Sequence, residues 1–393
     1  MIGVWTAVLA LSILAYVLLD GLVLGVGILM AFTPEEGRRQ RMLSTVGLLW
    51  DGNEAWLIGA GAVMWGAFPI VFTTLMSAFQ LPIMLMLAGL VVRRIACVCR
   101  FKFKTGGWMW DAGFCCGSLV AAVMQGVMVG GLVDGLPLSG NSYVGGDFGW
   151  ISLFATVCGI GLCFGYGLLG ACWIFHKSEG DPRDDARQFV EHVAGGLLAF
   201  FTFLFLYALV GDYRVMSRWL DQPYLLAIPV TGTVASFLLS ATMRYPRDDL
   251  ALYTAMMVFA VGFATLVTSF WPYMIPFSIT IDAGAAAPAR LATMVPYGAF
   301  ALPVMALYTI NNHTIFRRKS RRRRTTASRQ NGLHSETDGS FFARHVLPLI
   351  SGRRTHRWSQ LREQTTSCED EVADRDVSAA RGGAGRPPAR SDH

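Results

Sequence analysis

Nine stretches of about 20 mostly apolar residues recur along this 393-residue chain, and they leave few folds open to it. A backbone buried in hydrocarbon must satisfy its own N–H and C=O groups, so only helices or closed barrels can span a membrane. Stretches of this length fit helices. They fall near 3–31, 43–72, 74–96, 112–134, 150–175, 190–211, 222–243, 250–271 and 292–315, with a tight turn at Thr73–Ser77 joining the second to the third. No segment reads as a strand. The fold expected is an all-α, polytopic membrane bundle of about nine helices. The first stretch has no basic residue before it and no evident cleavage site, so it reads as a span and not a signal peptide.

Composition agrees. Only 15% of the residues are charged and 53% are hydrophobic, against about 25% charged in soluble domains. This excludes a soluble globular enzyme. The 42 glycines and 17 methionines suit packed membrane helices. The eight cysteines lie mostly in apolar runs and form no paired CxxC motif, so they read as small buried hydrophobes with no zinc site.

Basic residues set an expected orientation. With the N-terminus outside, the inner loops hold Arg38, Arg39 and Arg41, then Arg93, Arg94, Arg100, Lys102 and Lys104, then Lys177, Arg183 and Arg187, then Arg244 and Arg247. The outer loops hold only Arg214, Arg218 and Arg290. N-out, C-in follows, with a bundle over 1–316 and a basic cytoplasmic tail over 317–393. The tail is too poor in apolar residues to offset its ordering entropy, so it reads as disordered, with a candidate short helix at Phe341–Ile350. Its run Arg317–Arg324 would attract anionic lipid headgroups; such a charge effect is no sign of nucleic-acid binding.

Three carboxyls interrupt the apolar runs: Asp20 in the first, Asp51 and Glu54 in the second. An ionisable group inside a span costs at least about 2.5–3.5 kcal/mol, so each calls for a reason. Counted from the inner ends of antiparallel neighbours, Asp20 and Asp51 sit at similar depth, roughly 13–17 Å in. Asp51 and Glu54, three apart, share one helix face. The group either ties helices together by hydrogen bonds or conducts protons from the cytoplasm, since a carboxyl removed from water holds its proton more tightly. Gly21, Gly25 and Gly27 flank Asp20 and read as close-packing positions. None of the seven histidines falls mid-span, so the chain is not expected to ligate haem through histidine, nor to bind another cofactor or metal.

The string Trp50-Asp51-Gly52-Asn53-Glu54-Ala55-Trp56-Leu57, with Asp20-Gly21-x-x-Leu24-Gly25-Val26-Gly27 before it, resembles subunit II of the cytochrome bd-type quinol oxidases, cyanide-insensitive forms included. The likeness continues through Ala67-Phe68-Pro69, Trp271-Pro272-Tyr273, Thr280-Ile281-x-Ala283, Leu302-Pro303 and Tyr308-Thr309. It implies a haem-free accessory subunit in a bacterial cytoplasmic (inner) membrane. The partner, subunit I, would carry haems b and d, and the complex would oxidise quinol and reduce dioxygen to water, generating a membrane potential. A small accessory subunit, membrane lipid and quinone are further partners that the resemblance suggests. It also implies that Asp51 lies on a proton path, with Asp20 as its neighbour. The chain departs from the family pattern at Val23, Leu48 and the stretch Arg93–Arg100, each lacking a residue usual there. A stand-alone proton-coupled transporter using the same carboxyls is the alternative, as is a purely structural partner.

Overall fold

The computed structural model describes residues 1–315 except 47–49, 104–105, 179, 212 and 244–247; at Trp50, Asp51, Asp181, Asp248 and 312–315 it describes the backbone alone. The tail expected over 317–393 and its Phe341–Ile350 helix lie outside the described residues. The helices are α1 (Ile2–Ala31), α2 (Glu36–Val46), α3 (Trp50–Ala67), α4 (Pro69–Ala78), α5 (Gln80–Lys102), α6 (Gly107–Asp134), α7 (Leu153–Lys177), α8 (Asp181–Gly211), α9 (Tyr213–Asp221), α10 (Ala227–Thr242), α11 (Asp248–Phe270), α12 (Ile281–Gly284) and α13 (Pro288–Ile315). Among the described residues, eight helices are long and apolar enough to cross a membrane, or nine if the bent pair α3–α4 is one span.

That pair corrects the expected boundaries of the second and third spans. Residues 43–46 finish α2, which buries Met42, Leu43 and Val46, so the second span starts at Trp50 and not at 43. The chain breaks at Phe68, and α4 leaves α3 at 120°. Thr73–Ser77, expected as a turn, is helical. Pro69 is the cause: it has no N–H to continue the ladder, and it drives the preceding residue out of the α region. Phe68 accordingly has φ −133° and ψ 61°. The carbonyls left over at the break find partners in the segment leading into α13. Ala286 N–H donates to the Ala67 carbonyl at 2.8 Å, and the Arg290 guanidinium donates to the Trp65 carbonyl at 3.3 Å.

Two short hairpins also occur where no strand was expected: β1 (Leu138–Ser139) with β2 (Ser142–Tyr143), and β3 (Tyr273–Ile275) with β4 (Ile279–Thr280). Each spans only two or three residues, too short for a period-2 pattern to register in sequence.

Glycine sets how closely the central helices approach. Gly25 of α1 lies against Gly170 of α7, where an added Cβ would strike the Tyr166 carbonyl. Gly89 of α5 and Gly117 of α6 face each other in the same way. Of the candidate spans, α7 is the most buried and α13 the most exposed. One apolar core gathers the C-terminal half of α1 with α6, α7 and parts of α5, α8 and α11; a second gathers the N-terminal half of α1 with α3, α4 and the β3–α12 segment.

Candidate functional site: a buried ion cluster

Asp20 sits eleven residues before the end of α1, roughly 16 Å along the helix, and its side chain is fully buried. Arg93 is nine residues before the end of α5, roughly 13 Å, and is 1% exposed. Antiparallel neighbours thus bring the two to one depth. Arg93 Nη2 donates to Asp20 Oδ1 at 2.9 Å and to Glu54 Oε1 at 3.3 Å. Arg94 Nη1 donates to Glu54 Oε2 at 3.0 Å. Two carboxylates and two guanidiniums from three helices therefore balance in charge, which is what allows them to reside in an apolar bundle. Asp20 Oδ2 and Arg93 Nη1 are buried and have no hydrogen-bond partner among the described residues.

The rest of the motif frames this cluster. Asn53 Nδ2 donates to the Leu19 carbonyl at 2.9 Å, fixing α3 beside Asp20. Trp56 Nε1 donates to Thr309 Oγ1 at 3.0 Å, fixing α3 to α13. Gly52 is buried. The Tyr166 ring packs where Gly21 leaves room, and the Ser118 hydroxyl fills the place a Cβ on Gly27 would take. Trp50 and Asp51 occupy the first turn of α3, so Asp51 is not two turns into a helix as expected; the side chains of both lie outside the described residues.

Arg93 was expected in an inner loop, and its place in the cluster is a correction. The apolar run fades near residue 96, yet α5 continues to Lys102 because its arginines have carboxylate partners. A second such carboxylate is Asp111 at the start of α6, held by Arg39 Nε at 3.0 Å and Arg100 Nε at 2.8 Å. At the surface of the same end, Arg38 pairs with Asp185 and Glu35. Hydrogen bonds to Asp185 first and Glu35 second hold its guanidinium protonated to higher pH than usual.

The described histidines do not form a ligand set. His176 Nδ1 lies 2.8 Å from an Asp249 carboxylate oxygen and His192 Nδ1 lies 2.6 Å from the Gln188 carbonyl, at the ends of their helices. No group of three metal-binding side chains occurs among the described residues.

Comparison with known proteins bears on this arrangement. Residues 1–316 match the family model for cytochrome bd terminal oxidase subunit II. The chain is 27% identical over 311 residues to the probable cytochrome oxidase subunit 2 of Haemophilus influenzae, covering 70% of this chain and 82% of that one. It is 25% identical over 349 residues to the cytochrome bd-I ubiquinol oxidase subunit 2 of Escherichia coli K12, covering 78% and 91%. Among solved structures, the bd oxidase of Geobacillus thermodenitrificans superposes with a TM-score of 0.66 at 14% identity, covering 80% of this chain and 98% of that one. At so low an identity the likeness speaks for the fold.

Proposed function

Because the chain belongs to the cytochrome bd terminal oxidase subunit II family, and so is a subunit of a bd-type quinol oxidase in the bacterial cytoplasmic membrane, we propose that it is the haem-free accessory subunit and supplies a proton route through Glu54, Asp51 and Asp20. The observation that carries this reading is the buried cluster of Asp20, Glu54, Arg93 and Arg94. Haems b and d in the partner, subunit I, supply the redox chemistry, and quinol is the substrate of the complex. The N-terminus faces outward and the C-terminus inward, supported by the arginine-rich end shared by α2, α5 and α6. The bundle over 1–316 is the working domain, and the basic tail over 317–393 is cytoplasmic.

Within this reading Glu54, half-buried beside the exposed Arg94, is the entry group. Asp20, fully buried, is the inner one. Arg93 touches both carboxylates and lowers the cost of holding negative charge away from water. A proton placed on either carboxyl leaves Arg93 paired with the other, so the cluster never holds a wholly uncompensated charge. The helix-end positions of His176 and His192 support the haem-free assignment.

The same salt bridges favour a purely structural role, in which the charges only lock α1, α3 and α5 together. The Asp51→Asn variant separates the two. The proton-route reading predicts that it lowers oxygen consumption per haem by about tenfold or more, with haem spectra unchanged. Wild-type turnover would remove Asp51 from the route, and loss of haem would favour the structural role. For the orientation, an impermeant thiol reagent applied to intact cells should label Ser142→Cys and spare Glu35→Cys in a cysteine-free background. Labelling of Glu35→Cys alone would invert it.

A further inference from the structure

A second set of buried polar groups reaches Asp20 from three helices. Tyr166 of α7 donates its hydroxyl hydrogen to Gln125 Oε1 at 2.7 Å, and Gln125 Nε2 of α6 donates to the Tyr16 hydroxyl oxygen at 2.8 Å. All three are buried. Tyr16 precedes Asp20 by one turn of α1, and its hydroxyl faces that carboxylate. On their other side the three border an apolar cavity of about 660 Å³, lined also by Phe200 and Phe259.

The donor order has a consequence. A phenol has one proton to donate. Tyr166 commits its proton to the amide oxygen, and the amide commits an N–H to the Tyr16 oxygen. Tyr16 keeps its own O–H, with apolar side chains along the cavity and the Asp20 carboxylate on the other side. Asp20 Oδ2 is the buried oxygen that Arg93 does not occupy. The titratable and charged groups around Asp20 are Tyr16 on α1, Glu54 on α3, Arg93, Arg94 and Cys97 on α5, and Tyr166 with Cys163 on α7. From α6 comes the neutral amide of Gln125.

We propose that Tyr166, Gln125 and Tyr16 form a positioning array that aims the Tyr16 O–H at Asp20 and thereby sets the pH range over which this carboxyl gains and loses its proton. The three act through Asp20, and the proposal rests on the proton-route reading given above. A hydrogen bond donated to a carboxylate favours the ionised form; without it, the proton is released only at higher pH. Tyr166→Phe acts two bonds away, by freeing the amide to turn, and so has the smaller effect.

The test uses the purified two-subunit oxidase with the full chain. Two quantities are followed against pH: oxygen consumption per haem, and the infrared band of the protonated carboxyl identified by its loss in Asp20→Asn. In Tyr16→Phe both should move to higher pH together, by about one unit, the scale of a single hydrogen bond to a charged group. Tyr166→Phe should move them in the same direction by less, with haem content unchanged in both. If the two variants titrate as the wild type does, the array is only packing and the proposal fails. Should Tyr16→Phe not assemble, Tyr166→Phe decides by the same criterion. Wild-type turnover in Asp20→Asn would instead sink the proton route, while the infrared shift would still report on the array.

Discussion

At the scale of single residues, the carboxyls were legible and their partner was not. Asp20 and Glu54 stand out because a carboxyl amid apolar residues is costly unless something compensates it. Arg93 looks in sequence like one of the basic residues that flank any span. Only the continuation of α5 to Lys102 puts it roughly 13 Å inside. The signal available was the cost itself: two intramembrane carboxyls call for a cation at matching depth. Tyr16, Gln125 and Tyr166 gave no such signal, since neutral polar residues are common in spans and these three meet only through the packing of α1, α6 and α7. Replacing Arg93 by Met should leave Asp20 buried without its partner, costing about 3–5 kcal/mol. The expected result is a lower midpoint of thermal haem loss for the complex; an unchanged midpoint would mean that Arg93 does not hold the cluster together.

At the scale of elements, apolar run length located the spans to within a few residues, except where proline and charge intervened. Pro69 turns one expected span into two helices at 120°, and the freed carbonyls are met by Ala286 and Arg290, more than 200 residues on. No local pattern announces partners at that separation. The small-residue spacing around Asp20 was a weak sign in a glycine-rich chain, and the structure places Gly25 backbone to backbone with Gly170. A side chain there meets backbone, which cannot rotate away as a rotamer can. Gly25→Val should therefore cost roughly 1–3 kcal/mol or more and reduce recovery of the assembled complex. Gly61→Ala, with open space around its Cβ position, should not. Equal recovery of the two would show that α1 and α7 can separate without consequence.

At the scale of the whole molecule, a charge-balanced cluster lies inside an apolar bundle whose α13 is largely uncovered. A cluster used only as a tie and one used as a proton route look alike in a resting structure, but they respond differently when charge is removed in pairs. Neutralising Asp20 and Arg93 together, as Asp20→Asn with Arg93→Gln, leaves no unpaired buried ion, and such replacement of a buried pair is often neutral for stability. The side-chain volumes and hydrogen-bonding groups are largely retained. The decisive measurement is oxygen consumption per haem by the purified complex carrying that pair of substitutions. The proton-route account predicts near-normal haem content with turnover lowered by about tenfold or more. Wild-type turnover per haem would contradict it and leave the cluster as a tie between helices.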